Sequence, residues 1–451
     1  MGLLKRKMAE IEKTKLEKTF DIVCLYCFRD FPHQKVMFRA LEAIDADGYR
    51  AEPDRVLDDY RAFYGLDSAG DVSAVLDPND FREVNKGYHR GVLLSLKDDY
   101  GNVTTKRVCP FCHNELHHNA GLTKRNIVSI AGAPRSGKSV FLTSLIHTLK
   151  TVTPRSLHVF CTPLNSETGR IFKLEYEDPL VEEGVLPEVG QIEPPLVFTL
   201  TFSDASQPDL SIVLLDTGDG DEGNPNIYAS HIRNSSAIIF LADPTQFREI
   251  GQKIYTRNAL NAEPFYADAP TSILDRLLEG NIATGSQGAS DIPAAVVLTK
   301  TDLLDVFRFD SEYVAPNSRF FTDYTQKDFF NLSEFYNIDV ESEDFMADTD
   351  PNFRNAVKRR FKHVGFFAVS ALGYRPEGGR VTTFDPVRIE EPLFWILYQL
   401  GYIEGFEVNE YEIREYATRE HETNVPEESK IDDSVYDEDE LDEGEYEGED
   451  E

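Results

Sequence analysis

Long apolar runs are missing from this sequence. No stretch approaches about 18 consecutive apolar residues, so no membrane-spanning helix is read from it. Basic charge is scarce as well: 46 Lys and Arg stand against 80 Asp and Glu, a net charge of −34. So acidic a body argues against a nucleic-acid-wrapping surface, because neutralising phosphates takes a basic face. The N-terminus carries basic residues but neither a following apolar run nor a small-residue cleavage site, which excludes a secretory signal. "MGLLKR" opens like an acylation signal, yet Arg6 sits where Ser or Thr is needed. A cytoplasmic location is expected. Cysteine is sparse too, and four of the five fall in two CxxC pairs, Cys24/Cys27 and Cys109/Cys112, leaving Cys161 alone.

What is present is a chain of 451 residues, long enough for two or three domains. Its 41% hydrophobic and 28% charged content are ordinary for a globular protein. The charge is uneven. From Pro426 onward 15 acidic residues face Lys430 alone, whereas residues 1–20 hold six Lys/Arg against three Glu. Residues 1–20 are expected to form a basic helix with Leu4, Met8 and Ile11 on one face. Residues 21–120 carry the paired cysteines, with a charged, mostly helical insertion over roughly 40–90 and a β-hairpin over 92–108 turning near Asp98–Asn102. Residues 121–420 form the second domain. Residues 425–451 have too few apolar side chains to order themselves, and 280–290 reads as a mobile loop.

In the second domain apolar strand candidates recur at Ile127–Ala131, Leu196–Phe202, Ser211–Leu215, Ala237–Leu241, Ala294–Leu298 and Gly365–Val369. Helical stretches, including Val140–Lys150, Ser272–Leu278 and Pro392–Leu400, separate most of them. This alternation predicts an α/β domain with a mostly parallel sheet and helices on both faces. The link "SDASQPD" between the second and third strands is too short for a crossover, so one strand runs antiparallel.

Directly after the first strand comes "GAPRSGKS", Gly132 to Ser139, and then a helix beginning at Val140. The pattern GxxxxGK[ST] between strand and helix is that of a phosphate-binding loop. Gly132 and Gly137 permit a backbone whose successive N–H groups converge on an anion, with Ala133, Pro134, Arg135 and Ser136 between them. Lys138 can reach the β- and γ-phosphates, and Ser139 can ligate Mg²⁺. The helix N-terminus at Val140 adds partial positive charge. Asp216, closing "SIVLLDTGDG", supplies a second anchor for Mg²⁺. "VLTKTD" then places Thr299, Lys300 and Asp302 at the end of a later strand. A carboxylate at Asp302 can accept from both N1–H and the 2-amino group of guanine, a pair adenine lacks. The stem of Lys300 can lie along the base plane. The turn Ser370, Ala371, Leu372 can offer a backbone N–H to the guanine O6.

This ordered set resembles the P-loop GTPases, in the TRAFAC class of Ras-like proteins and translation factors. The first motif is Gly132–Ser139, the third Asp216-Thr217-Gly218, the fourth Thr299–Asp302 and the fifth Ser370–Leu372, and the strand in "SSAIIFLADP" is similar to the one after the third motif. A CxxC-bearing segment ahead of such a domain is similar to bacterial double-GTPase (DO-GTPase-like) proteins, regulatory or conflict-system components. The resemblance implies GTP or GDP with Mg²⁺, Lys138 and Asp216 as catalytic groups, and a protein partner such as another GTPase. There are departures. Thr299 replaces the usual Asn, Asp219 takes a Gly position of the third motif, no water-orienting Gln follows, and no switch-one Thr stands out. "LPEVGQIEPP" (186–195) is the segment assigned to the γ-phosphate. Binding is implied; hydrolysis is left to measurement.

Each CxxC is a knuckle suited to tetrahedral zinc, and the two lie 81 residues apart. An inserted segment can close so long a loop because closure entropy grows only logarithmically. Zinc held by Cys24, Cys27, Cys109 and Cys112 is favoured over a redox pair or inert buried thiols. His113, His117 and His118 are read as surface polar residues. The leading expectation is a slow GTPase switch with a zinc-stabilised partner module. The alternative is a nucleotide-binding zinc-ribbon scaffold without turnover, residues 21–120 being read as a small zinc-ribbon-like α+β segment, and nucleic-acid binding through that ribbon fits the net charge poorly.

Overall fold

The computed structural model describes residues 19–41, 48–151, 159–187, 194–202, 208–214, 231–247, 249–258, 260, 270–278, 289–309, 313–322, 324 and 329–407. The expected basic helix over 1–20 (but for Thr19 and Phe20), most of the 280–290 loop and the acidic tail lie outside these residues.

The central sheet has seven strands: β1 (Asn126–Gly132), β2 (Val159–Pro163), β3 (Leu196–Phe202), β4 (Leu210–Leu214), β5 (Ala237–Ala242), β6 (Ala294–Leu298) and β7 (Val364–Ala368), in the spatial order β2-β3-β4-β1-β5-β6-β7. Strands β4, β1, β5, β6 and β7 run parallel, and β3 is antiparallel to both its neighbours. Strands such as Ala237–Ala242 and Ala294–Leu298 are buried at every position. Both faces of the sheet are therefore covered, as a mostly parallel sheet requires. Helix α1 (Lys138–Thr151) follows β1, while α2 (Leu332–Thr349) and α3 (Pro351–Arg360) precede β7 and α4 (Glu391–Gln399) follows it.

Strand β2 was not expected. Its residues alternate between buried and exposed along a sheet edge, so "VFCTP" lacks the continuous apolar run that betrays an interior strand. The N-terminal segment also differs. Among the described residues of 40–90 only Arg55–Phe63 is α-helical, and the other elements are short strands and single helical turns. Charge was a poor guide there: Pro53, Gly65, Gly70 and Pro78 punctuate the stretch too often for long helices. The hairpin appears as expected over Val92–Lys97 and Val103–Thr104, its turn held by Asp98 Oδ1, which accepts from the N–H groups of Tyr100 (3.0 Å) and Asn102 (2.8 Å). Arg107–Val108 then leaves it to pair with Met37–Arg39.

The cysteine module sits directly on the sheet. Leu25 and Phe28, from the first knuckle, are buried with Ile127 of β1, Val197 of β3 and Val213 of β4. Two polar contacts fix the seat: Asn165 Nδ2 donates to Tyr26 Oη (2.8 Å) and Asn234 Nδ2 to the carbonyl of Phe28 (2.9 Å).

Candidate functional site

The phosphate-type loop joins β1 to α1 at the C-terminal edge of the parallel strands. Arg135 takes a left-handed φ of +63° and Gly137 a φ of +92°. Three consecutive loop carbonyls are tied from outside. Gln246 Nε2 donates to Pro134 O (2.7 Å), Lys300 Nζ to Arg135 O (2.8 Å) and Thr299 Oγ1 to Ser136 O (3.0 Å). Within the loop Ser136 N donates to Ala133 O (3.1 Å), closing a tight turn between the two glycines. Lys138 Nζ donates to Ala133 O at 3.2 Å, folded back over the loop. The Ser136 hydroxyl is buried without a partner.

The loops after β5 and β6 supply these ties. Asp243, at the end of β5, is almost wholly buried and caps the next turn by accepting from Thr245 N (2.8 Å) and Oγ1 (2.7 Å), while its other oxygen holds Lys300 Nζ (2.5 Å). Thr299 reaches the loop with a hydroxyl, so the replacement of Asn keeps a side-chain bond to the loop backbone. Lys300 itself has a φ of +54°, which turns the chain sharply before Asp302.

Asp302 meets the turn after β7. Ser370 Oγ donates to Asp302 Oδ1 (2.7 Å) and accepts from Gly373 N (2.9 Å). Burial holds the Asp302 carboxyl above its ordinary value, against the pull of the Ser370 bond. The turn is fastened twice more. Ser144 Oγ of α1 donates to Ala371 O (2.6 Å), and a strap over 385–387 runs beside it, with Val387 N donating to Ser370 O (2.8 Å) and Asp385 N to Leu372 O (3.0 Å).

The structure thus brings Gly132–Val140, Thr299, Lys300, Asp302 and Ser370–Leu372 to one edge of the sheet. Asp216, Thr217, Gly218 and Asp219 lie outside the described residues, as does most of 186–195. Gln246, Ser144 and the 385–387 strap were not read from the sequence, because side-chain bonds to loop carbonyls follow no residue spacing. Asp243 had a signal: "LADP" ends an apolar strand just as "LTKTD" does.

The second site lies in the N-terminal module. Cys24, Cys27, Cys109 and Cys112 are all buried and their sulfurs lie within 4.8 Å of one another. Cys24 and Cys112 Sγ are 3.6 Å apart, Cys27 and Cys109 Sγ 3.7 Å. Zinc–sulfur bonds of about 2.3 Å imply tetrahedral sulfur–sulfur edges of about 3.8 Å, so the spacing fits. The knuckles match: Phe28 N donates to Cys24 O (2.8 Å) and His113 N to Cys109 O (3.0 Å), with Phe28 and His113 both left-handed. Hydrogen bonds from the other thiols, Cys109 first, pull the Cys27 thiol far down, while burial pushes that of Cys24 well up. Four buried sulfurs cannot all ionise without a cation among them. His113 is half-buried and bound to Asp54 (2.9 Å), His117 to Asn119 (2.6 Å); neither joins the cluster.

Strand order, loop and turns together define a GTPase-like α/β fold preceded by a small β segment with a four-cysteine cluster. No family model matches the chain. Over 324 residues it is 24% identical to SaeC of Mycolicibacterium smegmatis (strain ATCC 700084 / mc(2)155), a protein named for ESX-1 scaffolding and assembly; the match covers 66% of this chain and 80% of that one. Among solved structures, the Arl6 (BBS3) small GTPase of Trypanosoma brucei with bound GppNp shares 12% identity, covering 62% of this chain and 100% of its own, at a TM-score of 0.23. The bacterial selenocysteine-specific elongation factor EF-Sec shares 15% over 62% of this chain and 29% of its own, at a TM-score of 0.26. Scores this low add nothing to the fold assignment, which rests on the strand order.

Proposed function

We propose that this protein binds GTP with Mg²⁺ and hydrolyses it slowly, acting as a nucleotide-dependent switch whose zinc-bound module presents a surface to a protein partner. The observation that carries the reading is the loop whose Arg135 and Ser136 carbonyls are held by Lys300 and Thr299, the residues just ahead of Asp302. Phosphate seat and base reader are in this way mechanically one unit. Gly132 to Val140 would hold the phosphates, Lys138 would reach the transferred one, and Ser139 with Asp216 would hold Mg²⁺. Mg²⁺ would supply charge neutralisation; the chain's own residues do the positioning. Zinc would be structural, since four thiolates leave no open position for chemistry.

Competition between GTP and ATP tests the base assignment, and equal affinities would sink it. Asp302→Asn should weaken GTP by roughly tenfold or more and improve xanthosine triphosphate, whose 2-oxo group suits an amide.

A second reading, a nucleotide-binding scaffold without turnover, is favoured by the similarity to a protein named for scaffolding and assembly. Single-turnover phosphate release separates the two: none from Mg·GTP, with or without a partner, supports the scaffold.

A further inference from the structure

The strap beside Ser370 is paired with it in both directions. Val387 N donates to Ser370 O (2.8 Å) and Ser370 N to Val387 O (3.2 Å). The next residue, Arg388, has a φ of +56° and a side chain 1% exposed. A non-glycine residue in the left-handed region persists only where its surroundings fix it. Here its own guanidinium does the fixing. Nε donates to two carbonyls, Arg319 O (3.0 Å) and Thr322 O (2.9 Å). Nη1 donates to Oε1 of Glu391 (2.6 Å), the first residue of α4, and Nη2 donates to Glu334, in the first turn of α2. One planar fork thus joins two helix N-termini and the 319–322 turn at a single point. A lysine would bring the charge without the spread of donors that serves all four acceptors.

We infer that Arg388 is a positioning residue for base recognition, acting on the nucleotide through Asp302 and not by contact. The guanidinium fixes the chain at 388, and Val387 holds the Ser370 backbone. Ser370 Oγ then donates to Asp302 Oδ1 (2.7 Å). The inference rests on the GTP reading above, in which Asp302 reads the base. Thr299 and Lys300 set where the Asp302 backbone stands; Ser370 sets how its carboxylate is turned. The ties to the phosphate loop come from Gln246, Lys300 and Thr299 and do not run through the strap. Loosening Arg388 therefore lets the carboxylate swing while the phosphate seat keeps its shape. The base feels the loss and the phosphates do not.

The full chain is titrated with GTP and with tripolyphosphate, each with Mg²⁺, by displacement of a ribose-labelled fluorescent GTP. Arg388→Lys should weaken GTP by about fivefold, the value of one hydrogen bond, and leave tripolyphosphate unchanged. If both ligands weaken together, Arg388 only supports the fold and the inference is overturned. A wild-type preference for GTP over ATP that Arg388→Lys leaves intact overturns it too, and the GTP reading stands. Asp302→Asn supplies a second arm. In that background Arg388→Lys should cost GTP nothing further, because the group it positions is already altered. A loss as large as in wild type would show that Arg388 does not act through Asp302. Where Arg388→Lys melts below the assay temperature, Glu334→Ala replaces it, removing one tie and leaving the guanidinium paired with Glu391. That variant should lose about threefold for GTP alone, judged by the same outcomes. If wild type binds GTP no better than ATP, the GTP reading falls and the inference with it.

Discussion

Asp302 carries two opposed demands. The proposed reading of guanine needs its charge, yet burial favours its neutral form. A carboxyl whose folded pKa lies above the unfolded one binds protons more tightly in the native state. It therefore costs stability at neutral pH. That cost shrinks as pH falls through the raised folded value and vanishes below the unfolded value near 3.9. Asp302→Asn should accordingly melt at a higher temperature than wild type at pH 7 without nucleotide, and the gap should close toward pH 4. Thermal melts at the two pH values check it, and a variant less stable at pH 7 would refute the account. Asp302 was legible because four short motifs fall in a fixed chain order. Gln246 and Ser144 were not, since a side chain that ties a backbone carbonyl leaves no spacing to read.

At the scale of elements, the turn after β7 depends on a strap that no motif announces. Gly373 has a φ of +80°, and a Cβ there would lie 1.8 Å from Asp385 O. Gly373→Ala must push 385–387 away from the turn and loosen Ser370, which both braces Asp302 and accepts from Gly373. Calorimetry should show GTP affinity falling by about tenfold or more, with bound zinc unchanged. Six of the seven strands were legible from their apolar runs, and the antiparallel pair from its short link. The edge strand β2 and the broken-up 40–90 region were not. One has a single buried face, and the other forms its strands through distant pairings such as Phe38 with Arg107 and Leu76.

The whole molecule is tied together at the first knuckle, where Phe28 is completely buried against the sheet and its ring lies 4.5 Å from that of His231. Neither CxxC pair hints at this docking, because the apolar residues concerned are ordinary ones. Phe28→Ala should cost about 3–5 kcal/mol in chemical denaturation. Metal analysis should still find one zinc per chain, because the four sulfurs are untouched. Loss of zinc in that variant would mean that the sheet, rather than the knuckle, holds the cluster in shape.

That seat also has a history in time. The ribosome releases Cys112 well before Val197 and Val213, and chains grow at about 5–20 residues per second. For several seconds the knuckles can close on the proposed zinc while Leu25 and Phe28 still face water. The nascent protein passes through a stage in which a finished finger waits for its socket, with a sticky tip open to whatever chaperone or neighbour arrives first.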